Sequence, residues 1–432
     1  MFISKSQSPS KSQVLGLRFG LPFSLLLVGI SPQAFANSSS FPDVWSQINL
    51  KSPAQEASRL ETRALEEAHS RTGLRWVPKL YLEAKSVNSN LTDPHLSNKG
   101  ALGLDLPLYE GGVTSVQGEL LQQSLKSQED LTSQLQLEQY SQVGLHFATL
   151  GVIESQNEKL RELRHHTERL LKNYQLGSKS NPVGYSGLLG MKSLVNRLMG
   201  LQAQSEANRI SSAEQLTKKG FDATNLKPKF DNASEFVSKY FPLNNRQLET
   251  AGSFELEALK KKAKAGEQAT KIEKAKYLPK VNVFAESTKL NSTKETIDGT
   301  HAGIYLQWNL FDPGVRGVAK EAKFRELALQ KTVEAFEQTE LAEKASLVAT
   351  ITALKETIKL LQESYGMAVE QSKITEGLFK SGSLNILQFI EILNQRAELI
   401  VKLGEAELAL VRASTTAITK EKFELAKYVA DN

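Results

Sequence analysis

The sequence repeats itself at an interval of about 200 residues, so whatever the first half folds into, the second half must build again. Trp76-Val-Pro-Lys-Leu-Tyr-Leu-Glu-Ala84 is answered by Tyr277-Leu-Pro-Lys-Val-Asn-Val-Phe-Ala285, 201 positions on. Leu106-Pro-Leu-Tyr-Glu-Gly-Gly112 is answered by Trp308-Asn-Leu-Phe-Asp-Pro-Gly314, 202 positions on. A weaker match, Tyr174-Gln-Leu-Gly177 with Phe379-Lys-Ser-Gly382, falls at 205. Each half reads in order as helix, strand, strand, long helix, break, helix.

The strands declare themselves by a period of two. Leu80, Leu82 and Ala84 alternate with Tyr81, Glu83 and Lys85, and Leu102, Leu104, Leu106 and Leu108 with Ala101, Gly103, Asp105 and Pro107. In the second half Val281, Val283 and Ala285 alternate with Asn282, Phe284 and Glu286, and Ile304, Leu306, Trp308 and Leu310 with Gly303, Tyr305, Gln307 and Asn309. Strands are expected at about 77–88, 100–109, 278–290 and 301–311, paired as hairpins across the polar stretches Asn88 to Lys99 and Asn291 to Thr300. One apolar and one mostly polar face suit either a soluble half-buried sheet or a membrane barrel. A strand of about 12 residues at roughly 3.3 Å each, tilted by about 40°, rises roughly 30 Å, enough for an apolar band about 25 Å tall. Four strands cannot close a barrel, and an open sheet edge cannot sit in lipid. Hairpins that enter a membrane here must therefore be shared by several chains, most simply in a symmetric ring.

From Val113 to Leu176 and from Val315 to Phe379 there is no Pro, and Leu, Glu, Gln, Lys and Ala dominate. At about 1.5 Å per residue each helix would span on the order of 95 Å. Leu354, Ile358, Leu361, Tyr365 and Ala368 repeat at 4,3,4,3, as do Ile386, Ile390, Leu393, Ala397 and Ile400, which are seams of antiparallel coiled coils. Reversals are expected at Leu176 to Gly187 and at Ser381 to Asn385, where Gly, Ser, Asn and Pro cluster. The domain plan is a first repeat over 37–216 (long helix about 112–176, return helix about 185–218), an irregular linker over 217–252 containing Pro228 and Pro242, and a second repeat over 253–432 (long helix about 314–379, return helix about 384–428).

Residues 1–36 read as a cleavable secretory signal rather than as part of the fold. Lys5, Lys11 and Arg18 precede an apolar stretch from Phe19 to Ile30, and Ala34 and Ala36 flank a small-residue site, so cleavage is expected after Ala36. The mature chain has no uncharged apolar run of 18 residues, leaving strands or a surface helix for any membrane role. With no Cys, disulfide frameworks, Cys-ligated metals, thiol nucleophiles and a lipidated N-terminal Cys are all excluded. A net charge of +5, three of it in the leader, is too small for a nucleic-acid binder. The six His form no His-Glu-x-x-His arrangement, and no phosphate-binding loop or nucleophile elbow occurs, so neither an enzyme nor a cofactor is expected. His165-His166 and Lys260-Lys-Lys-Ala-Lys264 read as solvated helix faces.

The secretory signal, the doubled order of helix, hairpin and long helix, the Pro-Lys strand openings and the Leu-Tyr-Glu-Gly-Gly and Leu-Phe-Asp-Pro-Gly junctions (Gly111, Gly112, Pro313, Gly314) together resemble the TolC family of outer-membrane efflux proteins. The resemblance implies a mainly α fold with a β-barrel portion. Three copies would close one 12-stranded barrel, continued by a helical tunnel across the periplasm. It implies an exit duct in a tripartite efflux pump or type I secretion system, whose partners are outer-membrane lipid, a periplasmic adaptor (membrane fusion) protein and an inner-membrane transporter. Matching Gly382-Ser-Leu-Asn-Ile-Leu-Gln-Phe-Ile-Glu391 to the family's tip places its two pore-ring positions at Gln388 and Glu391, one turn apart on a helix face. The family has acids at both, so the first ring is neutral here. Adaptor docking at the helical tips maps to Gly382, Ser383 and Leu384, and in the first half to Gly177 and Ser178. For the tips, plain turn chemistry is the competing reading, and for Glu391 a solvated surface acid. The alternative for the whole chain is a periplasmic coiled-coil structural or adaptor protein whose strands form a soluble sheet.

Overall fold

The computed structural model describes residues 40–89, 95–175, 182–228, 230, 232–242, 252–291, 296–309, 312–423 and 425. The expected signal segment and its cleavage site lie outside these residues. In chain order come α1 (Phe41–Lys51), α2 (Pro53–Gly73), a short 3₁₀ turn (Leu74–Trp76), β1 (Lys79–Ser89), β2 (His95–Glu110), α3 (Val113–Gln175) and α4 (Pro182–Lys218). Then follow α5 (Ala233–Tyr240), α6 (Phe254–Ala275), β3 (Lys280–Asn291), β4 (Thr296–Gln307), α7 (Pro313–Lys380) and α8 (Ile386–Thr419). The molecule is mostly helical, with one small antiparallel sheet.

The two hairpins lie side by side in a four-stranded sheet of order β1-β2-β3-β4. Pairing of β2 with β3 joins the two halves of the chain, with Leu104 opposite Ala285 and Gly103 opposite Glu286. Register slips between Pro107 and Tyr109, a bulge where the strand turns toward α3.

Several boundaries differ from the sequence reading. β2 begins at His95 and β4 at Thr296, inside the stretches read as polar connections, because backbone pairing continues where the apolar alternation has faded. β4 ends at Gln307, so Trp308 is not part of it, and its indole N–H donates instead to the Tyr277 carbonyl at 2.9 Å. Leu310, assigned to the same strand, lies outside the described residues. The return helix α8 stops at Thr419 rather than near 428, closing with the Lys420 N–H on the Ala417 carbonyl. The stretch read as an irregular linker contains α5, capped by Asn232, whose side chain accepts from the Glu235 N–H at 2.8 Å.

Two apolar clusters hold the helices together. The lower one lies in the return part of the coiled coils: Leu160 and Leu163 of α3, Met191, Leu194 and Leu198 of α4, and Ile386, Phe389, Ile390, Leu393, Ala397 and Ile400 of α8. All five residues of the second heptad seam are buried, each large one worth about 1.5–3 kcal/mol of transfer free energy. The other cluster is aromatic. Phe41 and Trp45 of α1, Tyr140 and Phe147 of α3, and Phe236, Tyr240 and Phe241 of the α5 segment pack ring on ring, Phe41 meeting Tyr140 at 5.1 Å and Phe236 at 5.5 Å. Gly144 and Gly151, seven residues apart on α3, provide the seats: a Cβ there would lie 2.1 Å from Phe241 and 2.2 Å from Phe230.

Candidate pore surface, gate and helical tips

The sheet's two faces differ sharply. Leu80, Leu82, Leu102, Leu104, Ile304 and Leu306 point to one side and are exposed in the single chain, Leu82 at 80%. At the helical end of the strands stand Trp76, Tyr109 and Trp308, also exposed, in the position that amphipathic aromatics take at a membrane–water interface. Among the described residues no helix is long and apolar enough to cross a membrane.

The opposite face is polar and knitted together. The Tyr81 hydroxyl donates to Glu286 at 3.1 Å, the Lys99 ammonium pairs with the other oxygen of Glu286 at 3.1 Å, and His301 stands 3.9 Å away. Asn282 donates to Asp105 at 3.2 Å and to the Tyr305 hydroxyl at 2.8 Å. Sequence reading placed Tyr81, Asp105, Asn282, Glu286 and Tyr305 on the polar face and Lys99 in the connection, but did not find the network, since the partners come from strands up to 205 positions away.

The strand-to-helix junctions solve one problem in two ways. After β2, Gly111 and Gly112 take left-handed conformations (φ 66° and 76°), and a Cβ on Gly111 would lie 2.9 Å from the Ala275 carbonyl, so glycine is required there. Arg75 braces this corner, donating to Glu110 at 3.1 Å, to Thr114 and to Gln117. After β4, Asp312 caps α7 by accepting from the Gly314 N–H at 2.9 Å, with Pro313 at the first helical position, where its missing N–H costs nothing.

At the other end α7 reverses into α8 through Gly382, again left-handed (φ 77°). The Ser383 and Leu384 N–H groups both donate to the Leu378 carbonyl, at 2.9 and 3.2 Å. Gly382 and Ser383 are exposed, and Leu384 is half-buried against the lower cluster. Asn385 caps α8 through the Leu387 N–H at 3.0 Å. Gly177 and Ser178 lie outside the described residues.

Gln388 and Glu391 sit on the exposed face of α8, opposite the buried Phe389, Ile390 and Leu393. Gln395, one turn further, donates to Glu391 at 3.4 Å, and beyond it Glu398 is paired with Arg197 of α4 at 2.9 Å. The two sequence-predicted gate residues are thus brought together on one face.

Other groups have partners that sequence reading missed. His166, read as solvated, is half-buried and meets Glu376 of α7 at 3.2 Å; burial holds its pKa below the usual imidazole value against the pull of that carboxylate. Of the Lys260–Lys264 run, Lys261 ties α6 to α3 through Asp130 at 2.6 Å. A buried pair, Lys344 with Glu340 at 2.5 Å, lies in the α7 interior, and Ser253 donates twice to Glu340. Nearby Glu421 is 5% exposed, and burial pushes its carboxyl up to about 7, with Lys344 opposing. Along α7, Leu360, Met367 and Ile374 repeat every seven residues and are each more than half exposed.

Residues 246–416 match the family model described as outer membrane efflux protein. No curated protein matches the chain by sequence. Solved structures share its fold. CusC, described in terms of transmembrane channel formation, has a TM-score of 0.74 at 14% identity over 88% of this chain and 91% of its own. The outer membrane protein VceC of Vibrio cholerae has 0.71 at 15% identity over 88% and 96%, and the CmeC outer membrane channel of Campylobacter jejuni 0.73 at 11% over 90% and 88%. The outer membrane efflux protein model is thus matched across the second repeat, and the fold of the outer membrane channels runs through both repeats.

Proposed function

We propose that three copies of this chain close a single barrel in the outer membrane and continue it with their coiled coils as a passive exit duct. In this reading the duct serves a tripartite efflux pump or a type I secretion system, conducting solutes or polypeptides without chemistry of its own. The observation that carries it is the sheet: apolar and exposed on one face, polar on the other, with β1 and β4 as outer strands of 11 and 12 residues. About half the backbone groups of an edge strand point away from its one neighbour, and each left unpaired in lipid costs several kcal/mol. The two edges together would cost tens of kcal/mol, which pairing β1 of one copy with β4 of the next removes. The exposed heptad stripe Leu360, Met367 and Ile374 on α7 offers the same neighbour a coiled-coil seam.

Three copies of Gln388 and Glu391 around a narrowing lumen form the gate in this proposal, one neutral ring and one acidic ring that favours cations. Gly382, Ser383 and Leu384 at the α7–α8 reversal are the proposed contact for a periplasmic adaptor, which couples the duct to an inner-membrane transporter. The test is single-channel recording of the purified protein in a planar bilayer, wild type against Glu391→Ala, with and without divalent cations. Cation-selective pores whose divalent block weakens in the variant support both duct and gate. Pores indifferent to the variant remove the gate from Glu391, and a folded protein that forms no pores removes the duct.

A further inference from the structure

On the polar face of the sheet one row runs Tyr81, Gly103, Glu286, His301 across all four strands. Side chains of a strand ordinarily stand roughly perpendicular to the sheet. Tyr81 does not: its ring lies down over Gly103, so close that a Cβ on that residue would be 2.3 Å from the ring carbon Cζ. Its hydroxyl thereby lies over β2, 2.5 Å from that same Cβ position, and donates at 3.1 Å to Glu286 reaching back from β3, the two side chains together bridging two strand spacings, or about 10 Å. Glu286 is itself fixed by Lys99 at 3.1 Å and is 13% exposed at its side chain. Phe284, in the next row toward the helices, leans the same way, 3.2 Å from the Cβ that Gly303 lacks.

We infer that Tyr81 is an aromatic flap laid against the barrel wall, and that Gly103 and Glu286 hold it there and so set the aperture of the barrel, apart from any gate at the helical tips. The inference rests on the shared-barrel reading. An 8-stranded barrel is just filled by its own side chains, so in a 12-stranded one three tyrosines standing inward would narrow the lumen substantially, whereas three lying flat leave it open. Gly103 is the seat and the Glu286 carboxylate, neutralised by Lys99, the catch.

The chain has no Cys, so a single Lys79→Cys label is unambiguous. Lys79 lies on the same face as Tyr81, two residues nearer the helices, and a reagent entering from the hairpin end must pass the Tyr81 row to reach it. The experiment follows labelling of Lys79→Cys by a membrane-impermeant poly(ethylene glycol) maleimide added outside vesicles that carry the protein. Adding Gly103→Val, whose branched side chain fills the seat, slows labelling several-fold, and adding Tyr81→Ala to that variant restores the rate. Glu286→Ala, which adds no bulk and removes the acceptor of the Tyr81 hydroxyl, slows it in the same direction and decides the matter if Gly103→Val fails to assemble. Labelling unchanged by Gly103→Val, or not restored by Tyr81→Ala, overturns the flap. If the reagent never reaches position 79 in the folded parent, the lumen is not open at the Tyr81 row and the flap fails; labelling as fast as in the denatured chain and indifferent to every variant means that no lumen encloses this face, and the barrel reading itself fails.

Discussion

Gly144→Ala is expected to weaken this protein although alanine is the better helix former. In an unconstrained helix interior the exchange gains about 1 kcal/mol. Here the new methyl would lie 2.1 Å from Cζ of Phe241, against roughly 3.5–4.0 Å for a comfortable carbon contact. The ring must therefore retreat by about 1.5 Å, and it is fully buried, with Phe41, Tyr140 and Phe236 at centroid distances of 5.9, 5.3 and 5.7 Å. Overpacking costs about 1–3 kcal/mol, and expelling the ring instead forfeits about 1.5–3 kcal/mol of burial. At mid-range either route exceeds the helix gain and leaves a net loss of about 1 kcal/mol, centred on the α5 segment. Hydrogen exchange read by mass spectrometry should show protection of residues 233–242 falling about 5-fold, with the distant strands unaffected. Gly200→Ala on α4, where a Cβ meets nothing within 4 Å, should stabilise its helix by about 1 kcal/mol. Equal or greater protection of α5 in Gly144→Ala would refute the reasoning.

The folded chain holds Glu421 as an acid to about pH 7, while an unfolded chain releases that proton near 4.5. Stability is therefore greatest below pH 4.5 as far as this group is concerned, falls between 4.5 and 7, and is level above, a span of roughly 3 kcal/mol at about 1.4 kcal/mol per pKa unit. Glu421→Gln should flatten that part of the pH profile of thermal unfolding and raise the midpoint at pH 8. Lys344→Met strips the buried Glu340 of its counter-charge and should destabilise by about 3–5 kcal/mol, seen as a lower dissociation temperature on semi-native gels. Gly382→Val forces a branched residue into a left-handed turn at a cost of about 1–2 kcal/mol, and should raise protease cleavage at the α7–α8 reversal without touching the barrel.

The repeat carried most of the architecture, because long helices and paired hairpins leave periodic traces: Ile386, Ile390, Leu393, Ala397 and Ile400 announce a seam, and all five are buried. Strand ends were harder. Residues 95–99 and 296–300 pair through backbone while their sequence holds a single large apolar residue each, Leu96 and Ile297, so a hydropathy pattern stops before the hydrogen bonds do. Trp308 misled in the opposite sense, an apolar residue in phase with β4 but turned aside to the Tyr277 carbonyl. Residues 217–252 looked irregular because α5 is only 8 residues long, and its rings find their seats on glycines some 80–100 positions earlier. Of the candidate site, the face shared by Gln388 and Glu391 followed from helical spacing, whereas the Tyr81–Glu286–Lys99 network required register across the β2–β3 junction, which no local pattern encodes.

Central to the account is a barrel that no single chain can complete. The most direct test is the mass of the particle extracted from outer membranes in mild detergent, measured by native mass spectrometry before and after heating. Three mature chains per particle, dissociating only on heating, is the predicted result. A monodisperse single chain that stays folded in buffer without detergent would contradict it, and would return the sheet to a soluble role.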